Sequence, residues 1–91
     1  MKACIYGMVV KVGDLQCGRT ADGKDWEKKN VVLAPQGDDR KVAADFFGEY
    51  KVKQVDQIKE GDNVVAQVEV YSREYTGKWY NQIDGISISK T

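Results

Sequence analysis

The stretch from Asn63 to Ser89 constrains the fold most, because it joins a long alternating pattern to a tight turn. Apolar and polar residues alternate from Asn63 to Tyr75, as in a strand with one buried face and one face toward solvent. Thr76-Gly77 supplies the turn, and a second β-rich stretch runs from Trp79 to Ser89. The pattern predicts a long antiparallel hairpin, with Gly85 marking a bulge in its second strand.

Three further strands are predicted before this hairpin. They cover Lys2–Val12, Trp26–Ala34 and Arg40–Phe47, and the first is expected to bend or bulge at Gly7. Residues 13 to 25 contain three glycines and no hydrophobic period, so they are predicted to form a loop.

The hydrophobic period changes between the third strand and the hairpin. Val52, Val55 and Ile58 lie three residues apart, which predicts a short amphipathic helix over Glu49–Lys59, ended by Gly61-Asp62. Three strands, a helix and two strands is the order of an all-β, five-stranded OB-fold Greek-key barrel, here a single domain over residues 1–91. SH3-like barrels and cold-shock domains lack that helix and fit less well, and a small split barrel of another topology stays open.

Composition narrows the function classes. Fourteen basic and fourteen acidic side chains give a net charge of zero, so any nucleic-acid contact must depend on local charge. The chain has no His and no phosphate-cradling glycine motif, which predicts a non-enzymatic protein without cofactor or metal. No apolar run suits a membrane span and the amino terminus lacks a secretory segment, so we expect a cytoplasmic protein, with Cys4 and Cys17 as small apolar fillers.

The register of the hairpin follows from its apolar residues. An even-length loop at Thr76-Gly77 pairs Val70 with Ile83, whereas a three-residue loop would set Val70 against Gln82. The even loop places five side chains on the outer face and leaves Trp79 on the other, where it could cap the barrel end. The five are Tyr71, Arg73, Tyr75, Lys78 and Tyr80.

The faces of the second and third strands follow from burial. Because Asp45 is unfavourable in a core, its own face of the third strand must point outward. Lys41 and Phe47 share that outward face, whereas Val42, Ala44 and Phe46 point inward. In the second strand Val31 and Leu33 are expected inside, with Trp26 and Lys28 outside.

The aromatic and cationic residues of this outer face are the candidate nucleic-acid-binding site, because rings stack on bases and cations follow the phosphate backbone. These residues are Trp26, Lys28, Lys41, Phe47, Tyr71, Arg73, Tyr75, Lys78 and Tyr80. Pairs of this kind also stabilise an exposed sheet without any ligand. Tyr50 and Val52 are expected to pack the helix.

Residues 40 to 89 resemble bacterial single-stranded-DNA-binding proteins, and the first 39 do so in outline. The resemblance rests on Phe47-Gly48 before the helix, the turn Lys59-Glu60-Gly61-Asp62, and the strand VVAQVEVYSREY. It implies that Phe47 is a stacking aromatic and that Tyr75, after Arg73, is the hairpin aromatic. The WEKK opening at Trp26 and the segment SREYTGKWY look still closer to short, uncharacterised bacterial OB domains.

The resemblance implies binding of single-stranded DNA with little sequence preference, in DNA replication or repair, by a homodimer or higher oligomer. The residues alone leave two alternatives open: an OB-fold module that binds a protein partner, and single-stranded RNA binding. The turn at residues 35–39 is shorter than the family's aromatic loop, which implies lower affinity. No acidic tail of the kind that recruits replication proteins is expected.

Overall fold

A computed structural model describes the chain from Met1 to Thr91. The five predicted strands and the helix are present in the predicted order, and one further short strand is added. The elements are β1 (Lys2–Val12), β2 (Gln16–Arg19), β3 (Asp25–Pro35), β4 (Val42–Phe47), α1 (Glu49–Val55), β5 (Asn63–Tyr75) and β6 (Lys78–Lys90). No helix is long and apolar enough to cross a membrane.

The strands form one sheet that closes on itself. Their order is β1-β5-β6-β4-β3-β2, and β1 also pairs with β3, which completes a barrel. All pairs are antiparallel except β4 and β6, which run parallel and meet at Asp45 and Asp84. β1 has two pairing partners because its first half pairs with β5 and its second half pairs with β3.

Gly7 lies where β1 passes from one partner to the other. A Cβ at this position would stand 2.3 Å from the carbonyl oxygen of Ala34, so only glycine allows the two strands to approach so closely. The irregularity predicted at Gly7 occurs later, where the β1–β3 register shifts between Val9 and Lys11. The glycine thus marks a close approach of two backbones, and the bulge follows it.

The core is formed by the inward faces of the strands together with α1 and the turn that follows it. The inward residues of β3, β4 and β5 are fully buried: Val31, Leu33, Ala44, Phe46, Val64, Ala66 and Val68. Val52 and Val55 of α1 are buried with Ile58, although the helix ends at Val55. Ile58 reaches the core from a tight turn, in which its N–H bonds to the carbonyl of Val55.

The bulge in β6 lies at the predicted position, next to Gly85. Gln67 pairs with Ser87 and Val68 pairs with Gly85, so Ile86 is the extra residue. A Cβ on Gly85 would stand 2.1 Å from Cε2 of Phe46, because the Phe46 ring lies flat against the backbone there. The glycine therefore makes room for the largest fully buried side chain of the core.

Several side chains predicted to be buried are exposed. Cys4 and Cys17 are both free and exposed: Cys4 has the outward parity of β1, opposite to Ile5, Gly7 and Val9, and Cys17 lies on the edge strand β2. Both were wrongly expected to fill apolar space.

Two aromatic predictions are also wrong. Trp79 is 68% exposed and does not cap the barrel, because it lies in the part of the hairpin that extends past the other strands. Tyr50 is 75% exposed, whereas Val52 and Val55 are the buried residues of α1.

We expect Gly85→Ala to lower the free energy of unfolding by about 1–3 kcal/mol, because the added methyl group overlaps the Phe46 ring. Urea denaturation measures this loss. Phe46→Leu removes part of the obstructing ring, so the double variant should be more stable than the sum of the single losses predicts. Strictly additive losses would show that the two residues do not compete for this space.

Candidate nucleic-acid interface

The first group of predicted residues meets at the β3–β4 end of the outer face. Lys28 and Phe47 are paired across the two strands. The ring centroids of Trp26 and Phe47 are 6.2 Å apart with the planes tilted by 49°, and the Lys28 Nζ lies 5.3 Å from the Phe47 centroid. Phe47 is 44% exposed, whereas its neighbour Phe46 is completely buried. We call Trp26, Lys28 and Phe47 the β3–β4 cluster.

The short strand β2 supports Trp26 from behind. Gly18 of β2 pairs with Trp26, and a Cβ on Gly18 would come within 2.7 Å of the indole Cζ2. The indole therefore packs across the glycine backbone. The prediction of a loop over residues 13–25 missed this strand. The glycine opposite an aromatic was the one available signal, because aromatic rings often cover strand glycines.

Phe47 is held by the entry to α1. Gly48 has a φ of 96°, and its N–H donates to the carbonyl of Glu27 at 2.9 Å. Only glycine adopts this φ without strain, so the chain can leave β4 sharply after Phe47. The ring is thereby fixed on the outer face at the end of its strand.

The second group occupies the hairpin, in the predicted register. Arg73 pairs with Tyr80, and Tyr75 pairs with Lys78. The connection is a two-residue turn in which Thr76 and Gly77 have φ values of 49° and 78°, as a type I′ hairpin turn requires. Tyr75 is 71% exposed and Tyr80 is about half exposed. We call these four residues the hairpin cluster.

A hydrogen-bonded network separates the two clusters. Gln82 Nε2 donates to Asp45 Oδ2 at 3.1 Å and to Asp84 Oδ1 at 2.8 Å. Asn30 Nδ2 donates to Asp45 Oδ1 at 3.0 Å, and the Tyr71 hydroxyl donates to Asp84 Oδ2 at 2.5 Å. We call these five residues the carboxylate network. Tyr71, predicted to stack on a base, is here bound through its hydroxyl to a carboxylate.

The parallel pair of Asp45 and Asp84 sets the spacing of the two clusters. Phe47 lies two residues beyond that pair and Tyr80 four residues before it, which is roughly 20 Å along the strands. Lys41 is exposed at the far end of β4 from Phe47, where its Nζ bonds to the carbonyl of Asp39. The predicted residues therefore share one face but not one point on it.

The fold is an OB fold: a closed barrel in which β1 pairs with both β3 and β5, with a helix between β4 and β5. Within this class the chain belongs to the family described as Domain of unknown function (DUF3127), which it matches over residues 4–89. No curated protein is similar enough in sequence to count as a relative.

Solved structures of single-stranded-DNA-binding proteins share the fold at low sequence identity. The mitochondrial protein Rim1 of S. cerevisiae has a TM-score of 0.67 at 12% identity, covering 99% of this chain and 94% of that chain. The second such protein of Mycobacterium smegmatis, SSBb, has 0.66 at 15% identity, covering 99% and 84%. The small protein of Streptomyces coelicolor has 0.56 at 16% identity, covering 100% and 92%. The predicted fold is confirmed.

The hydrogen bond from Tyr71 to Asp84 predicts an unusual titration. It raises the pKa of Tyr71 above the ordinary phenol value, because the bond exists only while the phenol is protonated. A raised folded-state pKa gives stability that is present below the unfolded pKa, near 10, and is lost as the pH rises through the folded value.

We expect Asp84→Asn to bring the Tyr71 pKa back toward the ordinary value, since the amide removes the negative acceptor. Ultraviolet difference titration follows phenolate formation, with Tyr71→Phe used to assign the signal. An unchanged titration curve in Asp84→Asn would show that the bond is absent in solution.

Proposed function

We propose that this protein binds single-stranded DNA without catalysis and with little sequence preference, by stacking bases on exposed rings. The observation that supports the proposal most is the β3–β4 cluster, in which two half-exposed rings lie side by side with an ammonium group at the ring of Phe47. The DNA-binding proteins that share the fold, named above for that activity, add support at the level of architecture.

The exposure of Phe47 favours a ligand. A large apolar ring in water lacks the favourable burial that Phe46 gains one residue earlier, and a stacked base would cover it. Stacking on an aromatic side chain contributes about 1–3 kcal/mol per base and tolerates every base, because each has a π-face. Tyr75 and Tyr80 offer further rings toward the hairpin end of the same face.

The cations of this face are free to meet phosphates. Five basic side chains elsewhere form ion pairs with Asp or Glu, whereas Lys28, Arg73 and Lys78 form none. Because surface charges are screened beyond about 10 Å, these local cations matter more to a phosphate than the net charge of zero.

We expect saturable binding of a fluorescein-labelled, mixed-sequence DNA strand of about 16 nucleotides, the upper end of what one OB fold covers. Phe47→Ala and Tyr80→Ala should each raise the Kd about 5- to 150-fold, the equivalent of one lost stacking contact. Fluorescence polarisation at several salt concentrations measures both the Kd and the salt slope, about 0.7 per neutralised phosphate.

Trp79→Ala is the matched control, because it removes an even more exposed ring from the opposite face of the same hairpin. Its Kd should equal that of the wild type. No saturable binding at low salt, or a Phe47→Ala variant that binds like the wild type, would rule the proposal out. In that case, retention of a protein partner after nuclease treatment would favour a protein-binding module. If the DNA strand does bind, equal competition by matched RNA would extend the ligand to RNA.

We further propose that the protein self-associates through the amino-terminal half of β1. Met1 and Val70 exchange two hydrogen bonds, so in the alternating antiparallel pattern the peptide groups of Lys2 and Cys4 point away from β5. Pairing of β1 with β3 begins only at Gly7. This leaves an unpaired strand edge, which a second copy of the chain can extend.

Cys4→Pro should convert a dimer into a monomer, because proline removes an N–H on the free edge and leaves the bonds to β5 intact. Light scattering coupled to size exclusion measures the mass, and circular dichroism checks the fold. Cys4→Ala is the control and should stay dimeric. A monomeric wild type, or a folded Cys4→Pro variant that is still dimeric, would contradict this interface.

A further inference from the structure

The carboxylate network uses its side-chain donors internally. Both hydrogens of Gln82 Nε2 go to Asp45 and Asp84, and the Tyr71 hydroxyl goes to Asp84. Asn30 Nδ2 divides its two hydrogens between Asp45 and the carbonyl of Ala44. A ligand that reaches this part of the outer face therefore finds no side-chain donor of the network free to meet it.

Acceptors remain in the same place. Each carboxylate oxygen of Asp45 and Asp84 accepts one hydrogen bond from the network and has a second lone pair. Neither carboxylate forms an ion pair, and Glu69, opposite Asp84 on β5, forms none either. The side chains of the network thus present acceptors only, and two of them are the negative carboxylates of Asp45 and Asp84.

Phe47 gives this patch a flat neighbour. Asp45 and Phe47 project from the same side of β4, two residues apart, so the carboxylate lies about 7 Å along the strand from the half-exposed ring. A base stacked on that ring and extending toward the hairpin would bring its edge to Asp45 and Asp84. The Phe47 ring therefore offers a stacking surface, and the carboxylates of Asp45 and Asp84 lie at one side of it.

We propose that the carboxylate network selects bases with an exocyclic amino group at the nucleotide next to Phe47. Cytosine and adenine present an NH2 donor that a carboxylate accepts, and guanine presents one beside its N1–H. Thymine and uracil instead place a carbonyl oxygen where cytosine has its amino group, and their one donor on this edge, N3–H, lies between two carbonyl oxygens that the carboxylates repel. This inference rests on the proposed single-strand binding. It adds a base preference at one nucleotide position, whereas the stacking rings elsewhere accept any base.

Oligo-dC and oligo-dU test this preference with the smallest chemical change. They share the sugar and the pyrimidine ring, and at neutral pH they differ by the amino or carbonyl group at C4 and the state of N3. With labelled strands of about 16 nucleotides, we expect the wild-type protein to bind oligo-dC about tenfold more tightly, as one hydrogen bond to a charged acceptor predicts. Fluorescence polarisation at a single salt concentration gives the ratio of the two Kd values.

Asp84→Asn should bring that ratio close to one, because the amide can donate to a carbonyl as well as accept from an amine. Asp45→Asn serves as a second variant at the other carboxylate. Glu60→Gln is the control: it removes one negative charge from an exposed position beyond the opposite end of β5 and should leave the ratio unchanged. Only the ratio is compared, since losing a negative charge anywhere strengthens phosphate binding.

The outcomes separate this inference from the proposed function. Binding of neither strand would refute single-strand binding itself. Equal binding of both, tighter binding of oligo-dU, or a ratio that both Asp variants leave unchanged would overturn the base preference and leave single-strand binding intact. A wild-type preference for oligo-dC that Asp84→Asn or Asp45→Asn abolishes and Glu60→Gln preserves would establish it.

Discussion

The ring of Phe46 lies against the bare backbone of Gly85, and the placement of β6 beside β4 depends on this contact. The two strands run parallel there and share one paired position, Asp45 with Asp84. With the strands held at that point, the hairpin and the end of β4 have a fixed separation on the outer face. A contact inside the core therefore sets the geometry of the surface opposite to it.

The outer face combines three kinds of chemistry in sequence. An aromatic pair with a cation lies at one end, carboxylates with an amide and a phenol occupy the middle, and tyrosines with Arg73 and Lys78 lie toward the hairpin. Two acidic side chains, Asp45 and Asp84, thus lie between Lys28 at one end of the face and Arg73 and Lys78 at the other, and none of these cations forms an ion pair.

The sequence was informative where neighbours along the chain determine the structure. Alternation in β5 and the match of Val70 with Ile83 were enough to give the hairpin register and the outward faces of Tyr75 and Tyr80. β2 was missed because its four residues have no hydrophobic period and are ordered by pairing with β3. The bond from Gln82 to Asp45 was missed for a related reason: it spans 37 positions and depends on the parallel strand contact, which no local pattern reveals.

The two tryptophans of the chain lie in different surroundings. Trp26 packs on Gly18 and beside Phe47, whereas Trp79 projects into water from the opposite side of the hairpin. When a flat molecule covers the ring of Phe47, the emission of the first indole changes, whereas the second indole stays in water and adds a constant background. Intrinsic fluorescence can therefore follow such a titration without any attached dye.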